Sequence, residues 1–185
     1  MKLEKTNLDD PCFSFYNKFQ RIIWGMVYIL LFRFTPSPFF TFRRYVLLIF
    51  GAKVDPTARI YPTVKIWLPK NLHIGSKSTI GPNSIIYNQG KITIKDRVII
   101  SQGSHICAST HNYNIRTHPL ILAPVTIESD VWICADAFIG PGVNVSEGGV
   151  VGARAVINKN TDVWSVYAGN PAVKLKERNR FDIND

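Results

Sequence analysis

From residue 127 onward an aliphatic side chain returns at every sixth position: Ile127, Ile133, Ile139, Val145, Val151, Ile157 and Val163. The same step runs through three upstream triplets with extra residues between them: Val54, Ile60, Ile66; Ile74, Ile80, Ile86; and Ile94, Ile100, Ile106. A helix places its apolar residues three and four apart. A half-buried strand alternates at every second position. A sustained step of six fits neither. It fits a short strand plus a corner, repeated, with each aliphatic residue pointing inward and stacking on its equivalent in the next coil. Three such sides close one coil, and coils stack about 4.8 Å apart through main-chain hydrogen bonds. The step therefore predicts an all-β chain, a parallel β-helix of about five coils between residues 54 and 168.

Two further regularities accompany the step. Four positions after the aliphatic residue stands a small or β-branched one, among them Ala58, Val64, Ser78, Thr110, Ala137 and Thr161, which suits a tight corner. Glycine recurs one position after it, at Gly75, Gly81, Gly140 and Gly152, and reads as a place where the backbone bends. The flanks lack the step. Residues 1–50 read as an N-terminal helical flank of one or two helices, broken at Thr35, Pro36, Ser37 and Pro38. Residues 51–170 read as the β-helix. Residues 171–185, with Lys174, Lys176, Arg178 and Arg180, read as a short basic C-terminal cap. A bare coil end exposes unpaired strand edges, so both flanks are expected to cap the coil.

The 185 residues suffice for one sizeable core, and the formal net charge is +9. Such an excess favours an anionic partner: nucleic acid, a membrane surface or a phosphorylated small molecule. The chain has no zinc-finger spacing and no RNP-like aromatic motif, so no nucleic acid partner is expected. Cys12, Cys107 and Cys134 form no CxxC pair and no ligand cluster, a usage that fits a reducing, cytoplasmic compartment. Residues 1–11 carry acidic residues and no apolar run, unlike a signal peptide. The most apolar run, residues 22–32 between Arg21 and Arg33, is about half the length a membrane span needs. It reads as a buried helix, or as an interfacial helix whose arginines meet lipid phosphates at the inner membrane.

The step has one long break. Ile106 and Ile127 are 21 residues apart, where a full coil takes 18, and residues 111–124 form an irregular run extruded from the coil. A loop leaving a rigid solenoid is where function concentrates, and its first residue is His111. A neutral imidazole can take the proton of a hydroxyl as it attacks an acyl carbonyl, which makes His111 the candidate general base. The step aims it from a rigid coil toward a site that a mobile loop covers. His73, His105 and His118 read as structural. The rival use of histidine on such a coil is a zinc site like that of the γ-class carbonic anhydrases. His105 and His111 are six apart and so belong to adjacent sides, and no third ligand stands out, so no metal is expected.

Three stretches, SQGSHICASTHNY (101–113), APVTIESDVWICADAFIGPGVNVSEGGVVGARAVINK (123–159) and YAGNPAVKLKER (167–178), resemble the colanic acid biosynthesis acetyltransferases. These are related to the galactoside, maltose and nodulation O-acetyltransferases. The likeness extends to LFRFTPSPFFTFRRYVLLIFGAKV (31–54) and so covers nearly the whole chain. It implies a left-handed coil. The step does not fix the hand, and the ordinary crossover preference is the other way. The resemblance further implies an O-acetyltransferase that takes acetyl-CoA as donor and acts on a sugar hydroxyl of a surface polysaccharide or its lipid-linked precursor. It implies a homotrimer with each site between neighbouring subunits. Carried over residue by residue, the catalytic histidine is His111, and an asparagine that places the acceptor falls on Asn88. The CoA contacts fall on Ala135, Ala153, Asn158 and Lys159. After GNPA the family's basic residue is replaced by Val173, so a phosphate contact shifts to Lys174 or Lys176. The alternative to an enzyme is a trimeric β-helix scaffold without chemistry.

Overall fold

The structure is a computed structural model and describes residues 2–3 and 13–181. Cys12 and most of the acidic N-terminal run lie outside the described residues. Three parallel sheets form the sides of a prism. Side one stacks Lys53–Val54, Leu72–Ile74, Ile92–Ile94, Val125–Ile127 and Asn144–Val145. Side two stacks Arg59–Ile60, Thr79–Ile80, Ile99–Ile100, Trp132–Ile133 and Val150–Val151. Side three stacks Lys65–Ile66, Ile85–Tyr87, His105–Cys107, Phe138–Ile139 and Val156–Ile157. The registers align the aliphatic residues coil on coil, so Ile66, Ile86, Ile106, Ile139 and Ile157 form one column. The columns are the core, with Ile60, Ile80, Ile86, Ile100, Ile106, Ile127, Ile133 and Ile139 all without solvent exposure. The small residues behave as expected at Ala58, Ser78 and Ala137, which are buried at the corners.

Four details differ from the expectations. The six-residue step ends at Ile157: Val163 is 54% exposed, and the partner above Val151 is Tyr167. No strand stacks on Asn144–Val145 where Val163 would fall, while Thr161 is buried as a corner residue, its Oγ1 accepting from the Ser146 N–H at 2.9 Å. Five regular coils are therefore followed by a partial sixth, whose strand Ser165–Gly169 joins side two and pairs antiparallel with Ala172–Glu177. Thr110 is exposed, because the chain has already left the coil after Ala108. The recurring glycines serve close approach, not bending. A Cβ on Gly75 would stand 2.7 Å from the Lys95 carbonyl carbon. The bend lies two positions later, where Lys77, Asn83, Arg97, Asp130, Asp136 and Arg154 adopt positive φ.

The N-terminal flank is α1 (Phe15–Val27) running into a π-helical turn (Tyr28–Phe32), then the proline-rich break, then α2 (Phe40–Ile49). Ser14 caps α1 by accepting from the Asn17 N–H. Within the coil, each aliphatic carbonyl accepts from the coil below, as in Asp55 N–H to Ile74, Tyr61 N–H to Ile80 and Trp67 N–H to Ile86. The first coil has nothing below it, and three flank side chains supply the missing donors, one per side. Arg44 Nε donates to the Val54 carbonyl at 2.9 Å, Arg43 Nε to Ile60 at 2.7 Å and Trp24 Nε1 to Ile66 at 2.7 Å. Trp24, Phe32, Val46 and Leu47 close the end of the core. At the other end Arg178 donates to the carbonyls of Asp130 and Gly148. Among the described residues no helix is long and apolar enough to cross a membrane.

Candidate active site

The excursion between sides three and one is a β-hairpin. Strand Ser109–His111 pairs antiparallel with Leu120–Leu122, so the irregular part shrinks to residues 112–119. Its neck is closed by the Ala123 N–H donating to the Ala108 carbonyl at 2.9 Å and tied to the next coil by the Gly142 N–H donating to the Ala123 carbonyl. Across the tip, the Asn112 N–H donates to the Pro119 carbonyl, Asn112 Oδ1 accepts from the Asn114 N–H, and the His118 N–H donates to Ile115. Lys2–Leu3 adds a further antiparallel strand along Leu122 and Ile121.

His111 lies exposed on the first hairpin strand. Its Nδ1 is 2.6 Å from the main-chain oxygen of His118. A carbonyl can only accept, so Nδ1 carries a proton, and of the two neutral tautomers the contact selects the one whose lone pair is on Nε2. His118 reaches this position through a φ of +44° just before Pro119. The sequence signal for it was slight: a residue before proline is pushed out of the helical region. The contributing group is a main-chain oxygen, which no reading of side-chain types singles out.

The other expected site residues fall in separate places. Ala135 and Ala153 stand one above the other at the corner between sides two and three, linked by the Arg154 N–H donating to the Ala135 carbonyl at 2.9 Å. Asn158 and Lys159 are exposed on the fifth coil, just past side three. Lys174, on the antiparallel strand, is held by Asp162 at 3.0 Å and Glu177 at 2.6 Å, and these two carboxylates push its ammonium well above the ordinary lysine value. Lys176 takes part in none of the ion pairs among the described residues. Asn88 is placed differently from the expectation. It is fully buried, its Oδ1 accepting from the Trp67 and Leu68 N–H groups and its Nδ2 donating to the Leu68 carbonyl at 2.7 Å. The corner at Leu68 uses its side chain, which leaves no polar atom of Asn88 on the surface of the protomer for a sugar hydroxyl.

His105 and His111 belong to different elements, side three and the hairpin. His105 sits on the outer face of side three between the rings of Tyr87 and Phe138, at 6.2 and 5.3 Å, and burial pushes it below the ordinary histidine value. Among the described residues no three His, Cys, Asp or Glu side chains group as metal ligands.

The chain is 34% identical over 156 residues to WcaF of Escherichia coli (strain K12), a protein provisionally named as a colanic acid biosynthesis acetyltransferase, covering 84% of this chain and 86% of that one. The chain belongs to the WcaF-type hexapeptide-repeat acetyltransferases. It is 29% identical over 71% of its length to the galactoside O-acetyltransferase of Escherichia coli (strain K12), covering 66% of that protein. A galactoside acetyltransferase solved in complex with coenzyme A superposes with a TM-score of 0.81 at 25% identity, over 90% of this chain and 84% of that one. A maltose O-acetyltransferase from Clostridium difficile 630 superposes with a TM-score of 0.79 at 22% identity, over 90% of each chain, and speaks for the fold. No protein-family model matches the chain. The left-handed winding, which the six-residue step leaves open, goes with this family, and the protein is an acetyltransferase.

Proposed function

We propose that this acetyltransferase moves the acetyl group of acetyl-CoA directly to a sugar hydroxyl of a surface polysaccharide or its lipid-linked precursor, with His111 as general base. The observation that carries the reading is the alignment of His111 by the His118 carbonyl. Nε2 accepts the hydroxyl proton as the sugar oxygen attacks the thioester carbonyl. The C–O bond forms, the tetrahedral intermediate collapses, the C–S bond breaks, and the imidazolium returns its proton to the departing thiolate. The carbonyl at Nδ1 stabilises the positive charge that develops on the ring during this passage.

The donor assignment is supported by the galactoside acetyltransferase solved with coenzyme A, and the acceptor class by the galactoside O-acetyltransferase. Ala135 and Ala153 offer a low wall on which a pantetheine arm can lie. Asn158 and Lys159 lie farther along the fifth coil, where Lys159, with Lys174 or Lys176, meets CoA phosphate. In one protomer the hairpin leaves at the corner between sides three and one, and the alanine pair stands at the corner between sides two and three. In a homotrimer with the site between subunits, the hairpin of one copy lies over the alanine pair of the next. The enzyme works in the cytoplasm, and its helical flank meets the inner membrane peripherally. Release of CoA thiol from acetyl-CoA in the presence of candidate sugars tests the reading. Turnover should require a sugar and be lost in His111→Ala, and a variant with unchanged turnover removes His111 from the role.

A further inference from the structure

The helical flank has two faces, and the cap uses one of them. Trp24 and Phe32 are buried on the first coil. The opposite face of α1 and the π-helical turn presents Phe15, Phe19, Ile22, Met26 and Ile29, each at least half exposed, at spacings of four and three that form one stripe. Leu30 at 74% and Phe34 at 77% exposure broaden it, and Phe42, Tyr45 and Ile49 carry a second stripe along α2. Soluble proteins rarely leave so broad an apolar surface in water.

Charge indicates what covers it. Residues 13–50 contain five cations, Lys18, Arg21, Arg33, Arg43 and Arg44, and no carboxylate. Arg43 is consumed by the cap, whereas Lys18, Arg21 and Arg33 are exposed. Beside the stripe, a groove of about 430 Å³ runs between α1 and the edge of the first coil, with Lys18, Arg21 and Lys65 among aromatic walls that include Tyr28 and Trp67. Gly25 lines it, and a Cβ built there would meet no atom within 4 Å. The Arg21 guanidinium is fixed 4.3 Å above the Trp67 ring. A second copy of the same face would bring the same cations without a carboxylate to meet them. An anionic bilayer supplies both missing halves, a hydrocarbon boundary for the stripes and phosphates for the groove.

We propose that α1, the π-helical turn and α2 form a docking surface for an anionic phospholipid bilayer, with lipid headgroup phosphates held in the groove by Lys18, Arg21 and Lys65. This deepens the peripheral membrane contact of the functional reading and is independent of the donor, the acceptor and His111. The test is flotation of the full-length protein with phosphatidylcholine vesicles, with and without about a third phosphatidylglycerol, at low and high salt. The protein should float with the anionic vesicles only, and less at high salt. Lys18→Ser and Lys65→Ser should each lower partitioning about fivefold. Leu30→Glu should abolish it while thiol release with a soluble sugar stays at the wild-type rate, so that loss of docking and loss of catalysis are separable. Failure of the wild-type protein to bind anionic vesicles overturns the proposal. So does a Leu30→Glu variant that still floats, or one whose native mass by analytical ultracentrifugation falls below wild type, which would make the face an interface between proteins.

Discussion

The main-chain oxygen of His118 lies 2.6 Å from Nδ1 of His111, across the mouth of a hairpin that leaves the coil between its third and fourth turns. This contact selects the tautomer that leaves Nε2 unprotonated. Removal of the imidazole in His111→Ala is expected to lower kcat by about 10²- to 10⁴-fold with a small change in KM for acetyl-CoA. His118 contributes through its main chain, so His118→Ala is expected to keep kcat within about threefold of wild type. Steady-state kinetics on both variants separate the two residues, and equal losses would refute the division of labour.

The two lysines offered to CoA should not be equivalent. Lys174 is paired with Asp162 and Glu177, whereas Lys159 has no ion-pair partner among the described residues. A lysine already neutralised by two carboxylates has less to give a phosphate. Lys159→Ala should raise KM for acetyl-CoA about fivefold or more, and Lys174→Ala should raise it less. The opposite order would move the phosphate subsite to the antiparallel strand.

Acid should weaken the fold through two histidines. Burial lowers the pKa of His105, and burial together with Lys91 and Lys53 lowers that of His73. A depressed value in the folded state means that the unfolded chain binds more protons as pH falls. The stability linked to these groups is complete above their unfolded value, about 6.5, and is lost as pH drops through the lower folded values. The thermal midpoint followed by circular dichroism should therefore decline between about pH 7 and pH 5. His105→Phe should make that decline shallower, and an unchanged slope would clear His105 of the effect.

The first coil depends on its cap. Trp24→Ala removes a side chain that is 3% exposed and orphans the Ile66 carbonyl, and a loss of about 3–5 kcal/mol is expected. Arg43→Leu keeps much of the volume but strands the Ile60 carbonyl and the Pro36 and Ser37 carbonyls that Arg43 also bonds, for about 1–3 kcal/mol each where they stay dry. Urea titration of both variants measures this. A Trp24→Ala protein as stable as wild type would mean that the flank is appended and does not cap the coil.

The step of six was enough to read the columns, the three sides and the core, because each unit repeats one local geometry and its inward residue needs nothing beyond its counterpart in the next coil. It also showed where the chain leaves the coil, since the place where a repeat breaks is visible without any knowledge of contacts. The glycine at the start of each corner was misread for the same reason. In Gly75 the constraint is the neighbouring coil at Lys95 and Asp96, and sequence distance hides such an approach.

What the tertiary structure alone decided all depends on atoms far apart in the chain. The run after His111 became a hairpin because Leu120–Leu122 pairs back on Ser109–His111. Asn88 turned inward because the Leu68 corner, 20 residues earlier, needed both of its polar atoms. Trp24 found its acceptor 42 residues away, at the only coil with no coil beneath it. A periodic pattern specifies the repeat, whereas its ends, its breaks and the aim of His111 are set by unpaired main-chain groups that must find partners wherever the fold brings them.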